Sequence, residues 1–402
     1  MQKYRLSNGI TIIFDKNSSK SVAVEVMFKV GSNDETAKQA GLSHFLEHML
    51  FEGTKKRKSS GIIANEIEKY GAEFNAYTTG DRTAFYIKII NKKFDVALDL
   101  LSDMVINSVF DQKTMEKEKQ VVLKEINMVT DDPRLHQWVL FQKGLFERHP
   151  SKNPTYGTVK AVKAFLRKDL FDYYKKHYVP SNMIISVVGN VSDAKEKIEQ
   201  YFGKIKAPHW KRRREVSEPI QSKPKKSVEK KKTLNSYMVL GYKTVPREHK
   251  DSYALDVIQA ILGRGQSGWM FDEIRNKRGL AYQVGINNAM EWDIGMFAVY
   301  TGLDKKNIEK AKQLIAEQFE RLQKATENDL EEAKNYVEGN HTLQMEDNFH
   351  HADYVAYWET IKDAKLAKSY IENINKVTLE DVKSVAKKYF TDKYTMVVIE
   401  QE

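Results

Sequence analysis

Both halves of the sequence end in the same way. Lys175-Lys176-His177-Tyr178, followed by the apolar run 183–188, parallels Lys387-Lys388-Tyr389-Phe390 followed by 394–399, about 211 positions later. A repeat at that spacing implies duplication of a unit of roughly 200 residues. That restricts the fold to two related bodies. In each half strands and helices mix without a steady βαβ alternation, which predicts an α+β class over a doubly wound parallel sheet. The expected organisation is two mainly antiparallel sheets with helices packed on them. Domains are expected at 1–205 and 233–402, joined by a basic linker at 206–232.

Alternating residues predict strands at 9–14 and 21–30, and again at 72–78 and 83–90 around a Thr-Gly-Asp-Arg turn. Helical spacing covers 36–51, 60–70, 94–105, 113–129, 134–146 and 159–178. After the linker come a strand pair near 231–242, a helix at 252–262, a glycine-rich loop, and two charged helices at 306–324 and 328–344. A final helix and strand close the chain.

Cysteine is absent, which removes disulfides, thiolate metal sites and cysteine nucleophiles together. Any metal must be held by His, Asp or Glu. The net charge of +10 is concentrated around 204–232, where it reads as a solvated linker. No arginine-rich helix with interleaved aromatics appears, so nucleic acid is not an expected partner. The N-terminus enters a strand almost at once, without the apolar segment of a signal peptide. Apolar runs are too short to cross a bilayer, so no membrane partner is expected and the location expected is cytoplasmic.

Chemistry concentrates in one helix, Gly41-Leu42-Ser43-His44-Phe45-Leu46-Glu47-His48-Met49-Leu50-Phe51. His44 and His48 are four residues apart, so both imidazoles leave one helical face and can share an ion. Glu47 lies nearly on the same face. His-x-x-Glu-His is the inverted zincin motif, two ligands and a general base. Zinc needs a third protein ligand and one open position. Carboxylates or another His could supply the ligand, and Glu118 and Glu125, seven apart on one helix, are carboxylate candidates. Gly263-Arg264-Gly265-Gln266-Ser267-Gly268 has dinucleotide-loop spacing but follows a helix, so a nucleotide is not expected. His350 and His351 are adjacent and point apart, which suits packing better than a second metal.

The segment from His44 to Thr54 resembles the zinc motif of the pitrilysin, insulin-degrading-enzyme and mitochondrial-processing-peptidase family of metallopeptidases. In that family a distal Glu completes the zinc site, and the resemblance puts Glu125 in that role, 77 residues after His48. Glu118 matches the supporting, non-ligand Glu. Gly71-Ala72-Glu73-Phe74-Asn75-Ala76-Tyr77-Thr78 is similar to the edge strand on which the family lays its substrate, so Asn75, Ala76 and Tyr77 are expected to bind peptide. Arg275-Asn276-Lys277-Arg278-Gly279-Leu280-Ala281-Tyr282 looks like the second-domain motif whose Arg and Tyr serve the zinc site. The resemblance implies a short, single-chain zinc endopeptidase with one Zn2+ per chain, acting on unstructured peptides. It also implies a homodimeric clamshell. The alternatives are specific precursor processing and a non-catalytic role in a peptidase heterodimer.

Overall fold

Strand-forming residues in the first half build a six-stranded sheet in the computed structural model, which describes residues 1–206 and 208–402. Its strands are β1 (Gln2–Arg5), β2 (Thr11–Asp15), β3 (Ser21–Phe28), β4 (Glu73–Thr78), β5 (Thr83–Ile90) and β6 (Met183–Gly189). They lie in the order β1-β2-β6-β3-β5-β4, antiparallel except for β2 beside β6. A five-stranded sheet follows from β7 (Lys225–Lys231), β8 (Ser236–Thr244), β9 (Ala281–Met290), β10 (Gly295–Leu303) and β11 (Thr395–Gln401). Its order is β7-β11-β8-β10-β9, again with one parallel pair, β11 beside β7.

The two orders are the same once β1 is set aside. In each sheet the closing strand inserts between a parallel first strand and an antiparallel second one: β6 between β2 and β3, β11 between β7 and β8. The strands 183–188 and 394–399 that end alike in sequence thus occupy the same place in their sheets. Two related α+β bodies are present.

By contacts the chain divides into two units that do not follow its order. The first comprises Met1–Asn127, Asn153–Arg214 and Leu343–Ala367; the second comprises Met128–Lys152, Glu215–Thr342 and Lys368–Glu402. In the first unit Val22, Val24, Val26 and Phe28 of β3 turn one way, into a core with Leu42, Phe45, Leu46 and Met49. Burying such side chains contributes about 1.5–3 kcal/mol each. The intervening Ala23 faces the opposite side, where helix Asn348–Ile361 packs across β3 and β6 through Ala352 and Phe349. In the second unit the corresponding face carries Val239, Ala298 and Val397. Helix Pro133–Leu145 covers it with Phe141 and Leu145. Each sheet is therefore backed by a helix from the other half of the sequence.

Three local expectations change. The helix expected over 36–51 begins only at Leu42, because Gly41 at φ 93° forms its N-cap and Ala37–Gln39 makes a separate tight turn. The helix over 159–178 breaks at Phe165, and a new one starts at Arg167 with Asp169 accepting from the Leu166 N–H. Part of the basic stretch, Lys225–Lys231, is an edge strand whose ladder partner is β11. Among the described residues no helix is long and apolar enough to cross a membrane.

Candidate metal centre and active site

The histidine helix, Leu42–Phe51, is fixed along its apolar face by Leu42, Phe45, Leu46, Met49 and Leu50, all buried. Its N-terminus is capped from a distance: Glu35 accepts the Gly41 N–H at 2.7 Å and the Ser43 N–H at 2.6 Å. Its oxygens satisfy two orphan N–H groups at the positive end of the helix, and these hydrogen bonds work against the burial that pushes the Glu35 carboxyl up to about 8. The opposite face carries His44, Glu47 and His48. The two imidazole centroids stand 4.6 Å apart.

Helix Gln112–Asp131 brings the carboxylates. It buries Met115, Lys119, Val122 and Ile126, and thereby turns Glu118 and Glu125 toward the histidines. Glu125 straddles them, with Oε1 3.5 Å from His44 Nε2 and Oε2 3.7 Å from His48 Nε2. Glu118 Oε1 lies 2.7 Å from His48 Nδ1. Ligand-capable atoms of His44, His48 and Glu125 all fall within 4.8 Å of one another, the one such group of His, Asp or Glu among the described residues.

These residues fit zinc. Donors about 2.0–2.2 Å from a tetrahedral ion lie about 3.4 Å apart, close to the spacing of the Glu125 oxygens from the two imidazole nitrogens. Both histidines offer Nε2, and the Nδ1 of His48 is held by a carboxylate, as metal-binding imidazoles usually are. Two neutral imidazoles and one carboxylate would leave a divalent ion with net positive charge.

The electrostatics follow from burial in a crowded acidic pocket. Burial, and then the neighbouring His48, drive His44 down to about 3, which keeps one of its ring nitrogens unprotonated and free to accept. Burial also pulls on His48, but the Glu118 hydrogen bond and the charges of Glu47, Glu118 and Glu125 outweigh it and hold His48 above its ordinary value. Glu47 is raised by burial, against the Thr78 hydrogen bond and the His48 charge. Burial likewise raises Glu125.

Glu47 has one hydrogen-bond partner among the described residues, the Thr78 hydroxyl, which donates to Oε2 at 2.5 Å. Sequence reading missed Thr78. The available signal was period two: Phe74 and Thr78 share a face of β4, and Phe74 packs against Phe51 of the histidine helix at 5.9 Å. Asn75, Ala76 and Tyr77 lie on β4, which pairs with β5 and ends the sheet. Asn75 turns its carbonyl to the Ala76 N–H at 2.9 Å. Tyr77 points to the other face and donates to Asp353. Asp353 therefore serves Tyr77, and His351 pairs with Asp15 at 3.3 Å.

Arg275 and Tyr282 belong to the second unit. Arg275 sits in a π-helical turn, Asp272–Asn276, and Tyr282 stands on β9 and is 83% exposed. The guanidinium lies 4.8 Å from the Tyr282 ring centre and 4.7 Å from that of Phe271. The eight-residue sequence motif thus becomes a stacked pair.

Fold and site define a class: duplicated α+β chains with a helix-borne His/Glu cluster on the first unit that could hold a metal ion. Residues 11–159 match the family model described as insulinase (peptidase family M16), and residues 164–337 match the peptidase M16 inactive domain. The chain belongs to the M16 peptidase family. A Bacillus subtilis relative, described as the uncharacterized zinc protease YmxG, is 32% identical over 99% of this chain and 98% of its own. An uncharacterized zinc protease of Rickettsia felis is 29% identical over 98% of this chain and 96% of its own. The crystal structure of a protease from Helicobacter pylori matches with a TM-score of 0.94 and 26% identity, covering 99% of both chains.

Proposed function

We propose that the chain is a zinc-dependent endopeptidase that hydrolyses unstructured peptides, with Glu47 as its general base. The observation that carries this reading is the convergence of His44 Nε2, His48 Nε2 and the Glu125 carboxylate beside Glu47. Kinship to zinc proteases along the whole chain supports it. One Zn2+ per chain, held by those three side chains, would supply Lewis acidity and lower the pKa of water toward neutrality.

The chain's own groups do the rest. Glu118 holds the His48 ring. Glu47 takes a proton from the attacking water and later returns it to the departing amine, so one carboxylate serves both proton transfers. An extended peptide adds to the outer edge of β4 alongside Asn75, Ala76 and Tyr77. There main-chain hydrogen bonds give affinity with little demand on sequence. Arg275 and Tyr282 donate to the substrate backbone or to the oxyanion, where one such donor contributes roughly 3–4 kcal/mol. The working form is a homodimer enclosing the substrate.

The test is cleavage of a quenched fluorescent, unstructured peptide of roughly 15 residues, long enough to lie along a strand edge. Cleavage should disappear with chelator, return with zinc, and fall at least about 100-fold in Glu47→Gln. A zinc-loaded protein that cleaves nothing in a mixed peptide library would favour the non-catalytic subunit. Cleavage confined to one class of precursor would favour specific processing.

A further inference from the structure

The Glu47 carboxylate is asymmetric in its surroundings. Oε2 accepts the Thr78 hydroxyl at 2.5 Å, while Oε1 accepts no hydrogen bond from any described residue. One oxygen is tethered and the other is free. A base that must take a proton from water and give it back to an amine needs its working oxygen held in one direction through both steps.

Thr78 is well built to impose that direction. It is the last residue of β4 and pairs with Thr83, whose own hydroxyl donates to the Val30 carbonyl at 2.9 Å. The turn between them is closed by the Thr79 N–H on the Arg82 carbonyl at 2.8 Å. The turn is also tied down from outside, because Ser32 N–H donates to Thr79 O at 3.1 Å and Asn33 N–H to Gly80 O at 2.8 Å. That approach requires glycine at 31, where a Cβ would lie 2.3 Å from the Thr79 carbonyl oxygen. The Thr78 side chain is β-branched, so its χ1 is stiff and the hydroxyl inherits the rigidity of the backbone.

The same strand meets the histidine helix twice: through Phe74 on Phe51 near its start, and through Thr78 on Glu47 at its end. Its outer edge is the edge to which the peptide is proposed to add. We propose that Thr78 is a positioning residue, which orients the Glu47 carboxylate and sets the base and the peptide-docking edge on one rigid strand. This rests on the peptidase reading above.

Thr78→Val removes the hydroxyl and keeps the shape; Thr78→Ser keeps the hydroxyl. Zinc-loaded Thr78→Val should lose about 10- to 100-fold in kcat with KM nearly unchanged, at wild-type zinc content and melting temperature. Thr78→Ser should recover most of that loss. Crystal structures of wild type and Thr78→Val should show the Glu47 carboxylate in one orientation in the first and displaced or in two orientations in the second. A kcat within about twofold of wild type in Thr78→Val, a change in KM alone, or a Thr78→Ser as slow as Thr78→Val would each overturn the proposal. An undisplaced carboxylate in the Thr78→Val crystal would overturn it whatever the activity. Wild type without zinc-dependent cleavage would instead sink the peptidase reading, and the carboxylate orientation would still decide the role of Thr78.

Discussion

His48 Nδ1 and Glu118 Oε1 lie 2.7 Å apart, and since an ionised carboxylate can only accept, the proton of that bond belongs to the imidazole. The bond fixes the tautomer and leaves the Nε2 lone pair facing Glu125. Glu118→Ala should therefore weaken zinc binding by about 10- to 100-fold, measured by competition with a chromophoric chelator. An unchanged zinc affinity would remove Glu118 from the site.

Glu25 sits wholly buried on β3, and neither carboxylate oxygen has a hydrogen bond of good geometry. Burial first, and then the charge of Asp353, push it well above the ordinary 4.5, against the pull of Arg82. It is held as the neutral acid. A carboxyl raised on folding contributes fully below its unfolded value, and the contribution is lost as pH rises toward the folded one. Glu25→Gln keeps the shape and removes the titration. Its melting temperature should match wild type near pH 4 and exceed it increasingly toward pH 9, by several degrees, in scanning calorimetry. A constant difference across that range would contradict a neutral Glu25.

Glu218 is the opposite case. Its oxygens accept the N–H groups of Glu147, Arg148 and His149 at 2.7, 2.8 and 2.7 Å, and Lys243 at 2.6 Å. Burial alone would raise it; the backbone N–H groups and Lys243 prevail and hold it at about 2. The stability it contributes is present above the unfolded value of 4.5 and is lost as pH falls toward 2. Glu218→Gln should destabilise by roughly 1–3 kcal/mol at pH 7 and converge on wild type in acid. Chemical denaturation at both pH values checks this.

Gly157, at φ 75°, passes so near the start of the histidine helix that a Cβ would lie 2.0 Å from the Ala40 carbonyl oxygen. Gly41, at φ 93°, meets the Tyr156 carbonyl reciprocally, at 2.5 Å. Gly157→Ala should cost more than about 1 kcal/mol and lower zinc affinity as well, because the clash displaces the helix that carries His44 and His48. Thermal melting with and without zinc separates the two effects.

The histidine pair was legible because His44 and His48 lie four residues apart on a single helix, where spacing alone determines the face. Glu125 was not fixed by spacing. It reaches the pair only because Met115, Val122 and Ile126 bury the other side of its helix, and it was singled out by resemblance. The duplication was visible in the two chain endings, and the matching strand orders follow from it. The helix Asn348–Ile361 escaped notice because the face it lays on the sheet mixes Ala352 with the polar Asn348 and Asp353, which blurs the 3.6-residue pattern. Thr78 escaped because the period-two alternation that sets it on the Phe74 face of β4 does not say which side chain its hydroxyl meets across the strand.

The exchange of backing helices bears on how the protein is made. All six strands of the first sheet and the histidine helix are synthesised by Gly189, yet the face bearing Ala23 and Glu25 stays open until residues 348–361 emerge. The first unit cannot mature on the ribosome ahead of the second; the two must finish nearly together. A gene cut at the basic stretch would yield two fragments, each with a sheet bare on one face and a stray helix that has lost the sheet it packs on. Such fragments are suited to reassembly when coexpressed and to aggregation when expressed alone.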